Sequence, residues 1–349
     1  MRIRALVGVV VGAVATILLA DACLTYLVPP GGPREVTEGI QDLAASNPTT
    51  LVIGSSHART FHALALELRE RLGTSSLPMV AIPLENGKLL PYRWLLENRV
   101  APLIDEVAAD GTRVRPNLEN LVLVTEWWDS CDKSDGVYWN LPSRAWTLRD
   151  YVRDVSRNGV TSYNRNYVQT VIRRSFPHSA LVVDRTVPRV KAVLGRRLLG
   201  IPFPRTPEEE EKFLEGWRVM VEEGVRCIGA PAQMTALEQI IDFAKARNLH
   251  MTLVLFPRKP ATLSERAKAT TLEKFQGLLQ AVAARRAVTL VDLTTSTPLT
   301  DEDFMADFDH VNAAGNQKFA RWALEQHFQF LLKPGVPTDD LSPRMRVTP

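Results

Sequence analysis

The chain has 349 residues, 45% of them apolar and 23% charged, with 42 Lys and Arg against 39 Asp and Glu for a formal net charge of +3. That length can bury one enlarged core or two ordinary ones, and the composition is that of a globular protein. Near-neutral charge, without a basic stripe interleaved with aromatics, argues against a nucleic-acid partner.

At the N-terminus, Arg2 and Arg4 precede an apolar run from Ala5 to Val28 that only Asp21 interrupts. Crossing a bilayer takes roughly 20 apolar residues, and the arginines hold the N-terminus in the cytoplasm while the remainder is sent outward. Residues 1–28 are therefore expected to be a transmembrane anchor. A cleaved signal peptide is the alternative, disfavoured by the length of the run and the lack of a small-x-small site before Pro29. Residues 29–48, rich in Pro and Gly, read as a linker containing a short helix.

A repeating pattern follows. Thr50 to Ile53 is an apolar strand, and Phe61, Leu64, Ala65, Leu68 and Leu72 form a helical stripe closed by Gly73. Residues 77–84 are a second strand, 88–108 a helix containing prolines, and 120–125 a third strand. Residues 126 to about 230, rich in Trp, Tyr, Arg and Pro, break the rhythm and read as an inserted lid or subdomain. "PEEEEKFLEGW" within it is a solvated helix start. A patterned helix then leads into a fourth strand from His250. Another helix, from Ser264 to Arg286, leads into a fifth strand over 288–293. Residues 312–332 close as a helix, and 333–349 read as a flexible tail. Apolar strands alternating with amphipathic helices predict a doubly wound α/β domain over 49–332, with a five-stranded parallel sheet. Chemistry in such sheets gathers beyond the carboxyl ends of the strands.

"LVIGSSHA" (51–58) puts Ser56 just past the first strand. A serine there has an exposed oxygen and nearby helix N–H groups for an oxyanion. Serine is also a favoured helix N-cap, so this segment alone does not decide between the two roles. "DFDHVNAAG" (307–315) follows the last strand. An Asp three residues before a His can fold back onto one imidazole nitrogen and leave the other to deprotonate Ser56. Asp309, adjacent to His310, is a second acid that would struggle to reach the ring. Asn312 is placed to cap the closing helix.

On these two segments the chain resembles the SGNH (GDSL-like) hydrolases and acyltransferases. The order and distance of the segments agree with that family, and the likeness covers about 50–125 and 231–332. Within the family, an anchor combined with a "GSS" nucleophile is similar to extracytoplasmic proteins that acylate cell-surface polymers, such as those of alginate O-acetylation and teichoic acid D-alanylation. The resemblance implies Ser56 as nucleophile, His310 as base and Asp307 as orienting acid. It implies an oxyanion hole for which the backbone N–H groups of Ser56 and Gly87, with the side chain of Asn86 or Thr125, would have to serve. The family's Asn after the third strand is absent, because the chain reads "VTEWWDS". An α/β-hydrolase elbow at Gly54-x-Ser56 is set aside, since in that fold acid and His usually sit on separate loops.

His57 is expected to shape the turn or touch substrate. Trp127 and Trp128, directly after the third strand, are lid core or a platform for sugar rings. No His or Cys spacing suggests a ligand set, so no metal and no other cofactor are expected. Cys131 and Cys227, in the exported part, form a disulfide or remain two buried thiols. The resulting expectation is a single-pass membrane protein with an extracytoplasmic catalytic domain. It would be an acyltransferase or esterase acting on acyl esters, foremost acetyl, of a polysaccharide. A partner membrane acyltransferase would supply the acyl donor, an expectation resting on the resemblance alone. A plain lipase or esterase, and a non-catalytic polysaccharide-binding or assembly factor, are the alternatives.

Overall fold

The computed structural model describes Gly12, Ala15, Thr16, Leu19, residues 34–84, 87–111, 114, 117–131, Val152, Val155, Ser156, Gly159, and residues 206–294, 296–307 and 309–332. The chain divides into two compact units, residues 1–37 with 134–213 and residues 38–133 with 214–349, and the second holds the sheet. Apart from four helical positions, the expected anchor lies outside the described residues, as do Asn86, residues 160–205 of the expected insert and the tail. Among the described residues no helix is long and apolar enough to cross a membrane. The expected linker contains a helix, α1 (Arg34–Ser46).

Five strands form one parallel sheet: β1 (Thr50–Gly54), β2 (Met79–Pro83), β3 (Asn120–Thr125), β4 (His250–Leu255) and β5 (Thr289–Asp292). Their order is β2-β1-β3-β4-β5. Every residue of β1, β2 and β3 is buried, so both faces of the sheet need a helical cover. On one face α2 (Thr60–Leu72) and α7 (Ala313–Gln326) pack together over Val52, Ala81, Val122 and Val254. Phe61 of α2 meets Phe319 and Phe328 edge-on at 5.6 and 5.8 Å. Phe61, Leu64 and Leu68 are fully buried there, and each contributes roughly 1.5–3 kcal/mol of hydrophobic stabilisation. As the sequence predicts, Gly73 ends α2 in the left-handed region (φ 64°), and the Thr74 N–H returns to the Arg69 carbonyl.

A second helical pair is α3 (Leu89–Leu95) and α5 (Pro231–Lys245). The helix expected over 88–108 is interrupted. Its α-helical part widens into a π turn over Leu96–Val100 and ends after Ala101–Ile104. Pro102 has no N–H to give the carbonyl four residues back, and the altered register absorbs that loss. A similar π turn (Lys268–Leu272) precedes α6 (Glu273–Arg286).

The edges of the expected insert pack with the sheet. The helix α4 (Pro207–Gly224) ends against Trp127, where a Cβ on Gly224 would come within 2.5 Å of the indole. The Thr271 hydroxyl donates to the Val221 carbonyl at 2.6 Å, and the Ala230 N–H donates to Ser130 at 2.9 Å. Cys131 and Cys227 are joined as a disulfide with a Cα separation of 4.9 Å. The sequence left open a bridge or two thiols, and the structure forms the bridge.

Candidate active site

The strand order reverses between β1 and β3, and ligands of such sheets bind beyond the strand ends at that point. Gly54, the last residue of β1, lies against β3 so closely that a Cβ would come within 2.4 Å of the Val124 carbonyl oxygen. The chain then leaves the sheet as a 3-10 turn over Ser56–Arg59. The two adjacent hydroxyls divide two roles. Ser55 is the N-cap, its Oγ accepting from the His57 N–H. Ser56 is thereby left for another partner.

That partner comes from the far end of the chain. An antiparallel bridge between Phe304 and Val311, both buried, closes a small hairpin, and the Met305 N–H donates to the His310 carbonyl within it. The side chain of Asn312 then caps α7 through the Gly315 N–H, as expected. The hairpin presents Asp307 and His310 together. Asp307 Oδ1 accepts from the backbone N–H groups of Asp309 and His310, each at 3.0 Å, and Oδ2 lies 2.8 Å from His310 Nδ1. His310 Nε2 lies 2.7 Å from Ser56 Oγ. Burial opposes the charged form of Asp307, but the two backbone N–H groups and the imidazole outweigh it and hold the carboxyl below its ordinary range. An ionised Asp307 only accepts, so Nδ1 carries the proton and Nε2 offers its lone pair to the Ser56 hydroxyl. Ser56, His310 and Asp307 thus lie in the order and at the spacing of a hydroxyl–imidazole–carboxylate triad.

The remaining expected residues are placed as follows. Ser56 opens its turn, where helix geometry leaves an N–H without an intrahelical acceptor. The Gly87 N–H donates to the Leu84 carbonyl at 2.8 Å, so the structure uses it to close a turn. Asn86 lies outside the described residues. Trp127 is buried, and Trp128 is half-buried with the Lys88 ammonium 4.3 Å from its ring centroid. The segment from Trp127 to Ser130 is a 3-10 turn, and Trp127 and Trp128 meet edge-on at 5.3 Å. His57 is only 3% exposed, which makes it a supporting residue below the site. Its Nδ1 lies 2.9 Å from Ser55 Oγ and 3.3 Å from Glu126 Oε1, while Nε2 lies 3.1 Å from the Asp309 carbonyl oxygen.

Sequence reading missed Arg258 and Glu126. Arg258, three residues past β4, is buried and pairs with both Glu126 and Asp309. Burial lowers its affinity for the proton, and Asp309 opposes that loss. Asp309 is half-buried, which opposes its charged form, yet His57 and Arg258 keep its carboxyl far below the ordinary range. A signal for both was present, because each is a charged residue within three positions of the carboxyl end of a largely apolar strand. His57, Glu126 and Asp309 place potential metal-ligand atoms within 4.8 Å of one another. The guanidinium of Arg258 already bridges the two carboxylates, so this donor set is balanced by an organic cation.

Asp129 is a further buried acid beside this cluster. Burial pushes its carboxyl up to about 7 from an ordinary 3.8, against the pull of His57, Thr125, Lys88 and Tyr92. The folded chain therefore retains a proton that the unfolded chain releases, so this contribution to stability is full below about pH 4 and lost as pH rises towards 7. Asp129→Asn keeps an acceptor for the Glu126 N–H, which Asp129 Oδ2 now takes at 3.1 Å. Relative to the parent, the variant should gain up to about 4 kcal/mol between pH 4 and 7. Melting curves of the two proteins across that range check this, and curves that stay parallel overturn it.

Neither the models of known protein families nor the curated proteins contain a match to this chain.

Proposed function

We propose that the protein is a membrane-anchored, extracytoplasmic serine acyltransferase or esterase. Its substrates are acyl esters, foremost acetyl, of a cell-surface or secreted polysaccharide. The observation that carries the reading is the chain of short contacts from Ser56 Oγ through His310 to Asp307, 2.7 and 2.8 Å long. In the proposed reaction Ser56 Oγ attacks the ester carbonyl carbon as its proton passes to His310 Nε2. The tetrahedral intermediate collapses, the C–O bond to the leaving alcohol breaks, and His310 returns the proton to that alcohol. A sugar hydroxyl or water then attacks the acyl carbon as His310 takes its proton, the bond from that carbon to Ser56 Oγ breaks, and His310 returns the proton to Ser56 Oγ. Asp307 holds the tautomer this sequence requires.

Four features support the remainder of the reading. The resemblance to SGNH acyltransferases suggests the substrate class and a membrane partner that delivers the acyl donor. The apolar run after Arg2 and Arg4 suggests the anchor. A disulfide is at home in an oxidising compartment, which favours export. Half-buried Trp128, rather than enclosed Trp127, is the aromatic with surface to offer a sugar.

The test is to incubate the full chain with an activated acetyl ester and an uncharged polysaccharide, quench, and map the digest by mass. Acetyl on Ser56 and on the polymer is the expected result. Acetyl on Ser56 released only to water selects the esterase alternative, and no acetyl on Ser56 overturns the triad reading.

A further inference from the structure

The triad brings together two pieces of chain more than 250 positions apart, and Ser56 and His310 each have a neighbour in sequence that joins one cluster of contacts. His57 follows the nucleophile and Asp309 precedes the base. His57 Nε2 reaches the Asp309 carbonyl oxygen at 3.1 Å and Asp309 Oδ1 at 3.3 Å. The Asp309 carboxylate also accepts from Arg258 Nη1 at 2.7 Å. The other arm of Arg258 pairs with Glu126, which lies 3.3 Å from His57 Nδ1 and closes the ring of contacts. The His310 imidazole stacks on His57 at 5.5 Å between centroids, and His57 rests on Phe256 at 4.8 Å.

We propose that His57, Glu126, Arg258 and Asp309 are positioning residues, a buried cluster that sets the distance between Ser56 Oγ and His310 Nε2. The inference rests on the triad reading. The turn after β1, the turn after β3, the loop after β4 and the hairpin before α7 each supply one member. A shift in any of these segments is therefore opposed by the other three. The link to the chemistry is short, because consecutive Cα atoms are about 3.8 Å apart and one peptide separates Ser56 from His57 and Asp309 from His310. Arg258 suits the task because its planar fork can hold two carboxylates in a fixed relation, which the single ammonium of Lys cannot.

The experiment measures the rate at which a fluorophosphonate labels Ser56, which depends on neither the natural acyl group nor the acceptor. It compares the wild type, Asp309→Asn, Arg258→Lys, and the triple variant Glu126→Gln, Arg258→Gln, Asp309→Asn, in which the three charges are removed together. Melting temperature, and kcat and KM for a small activated ester, are read alongside. Misplacing a catalytic group by about 1 Å can cost about 100-fold. Labelling and kcat should therefore fall about 10- to 100-fold in Asp309→Asn and in the triple variant, with KM nearly constant and the triple variant folded. Arg258→Lys should fall between these and the wild type. A folded triple variant labelled at the wild-type rate overturns the inference alone. Failure of the triple variant to fold assigns the cluster to stability and also overturns it. A wild type that is never labelled overturns the triad reading itself, and this inference with it.

Discussion

Replacing Ser56 by Ala should lower acyl-ester turnover by about 10⁴- to 10⁶-fold, leaving only what binding and the surrounding N–H groups supply. The expectation follows from the contact at 2.7 Å that gives His310 Nε2 one hydroxyl to activate. The change should leave the fold intact, because the N-cap of the turn is Ser55 and not Ser56. His310→Ala should cost a similar factor. The double variant should be scarcely worse than either single one, since residues that act as a unit do not add. Steady-state hydrolysis of an activated ester, with melting temperature as the control for folding, makes the comparison. Wild-type turnover by folded Ser56→Ala would falsify the assignment.

Opening the Cys131–Cys227 bridge should produce the largest loss of stability short of unfolding. The two residues are 96 positions apart, and a closed loop near that length is worth up to ~4.7 kcal/mol in the chain-entropy model. Removing such a bridge typically costs about 2–5 kcal/mol. For a unit of this size each kcal/mol moves the melting temperature by roughly 2–4 °C. Cys131→Ala with Cys227→Ala, or reductant added to the wild type, should therefore lower it by about 4–20 °C, and the two treatments should agree. Activity should suffer as well, because the bridge fixes the turn that follows β3 and the Lys88 ammonium donates to the Cys131 carbonyl at 2.7 Å. An identical melting temperature with and without reductant sinks this expectation.

The parallel sheet was legible in the sequence because strands buried on both faces must be apolar over most of their length, and β1 to β4 read so. The two segments that meet at the site were legible as well, since Gly54, Ser56, Asp307 and His310 sit in short local patterns. What sequence could not supply was contact between distant segments. Arg258 looks like any surface arginine until Glu126 and Asp309 are seen on either side of it. An extended chain after β3 would send Trp127 and Trp128 to opposite faces. The 3-10 turn instead lets one be enclosed against Gly224 while the other keeps surface. The two π turns were hidden because hydrophobic periodicity over four or five residues does not resolve a helix that widens.

The bridge between Cys131 and Cys227 also decides what a protease can do to this molecule. Strands β1, β2 and β3 and Ser56 precede it in the chain, while β4, β5, Asp307 and His310 follow it. A single cut anywhere from 132 to 226 yields two polypeptides, one holding Ser56 and the other His310, still joined by one covalent bond. Such a nicked chain would run as one species on a denaturing gel and as two only after reduction.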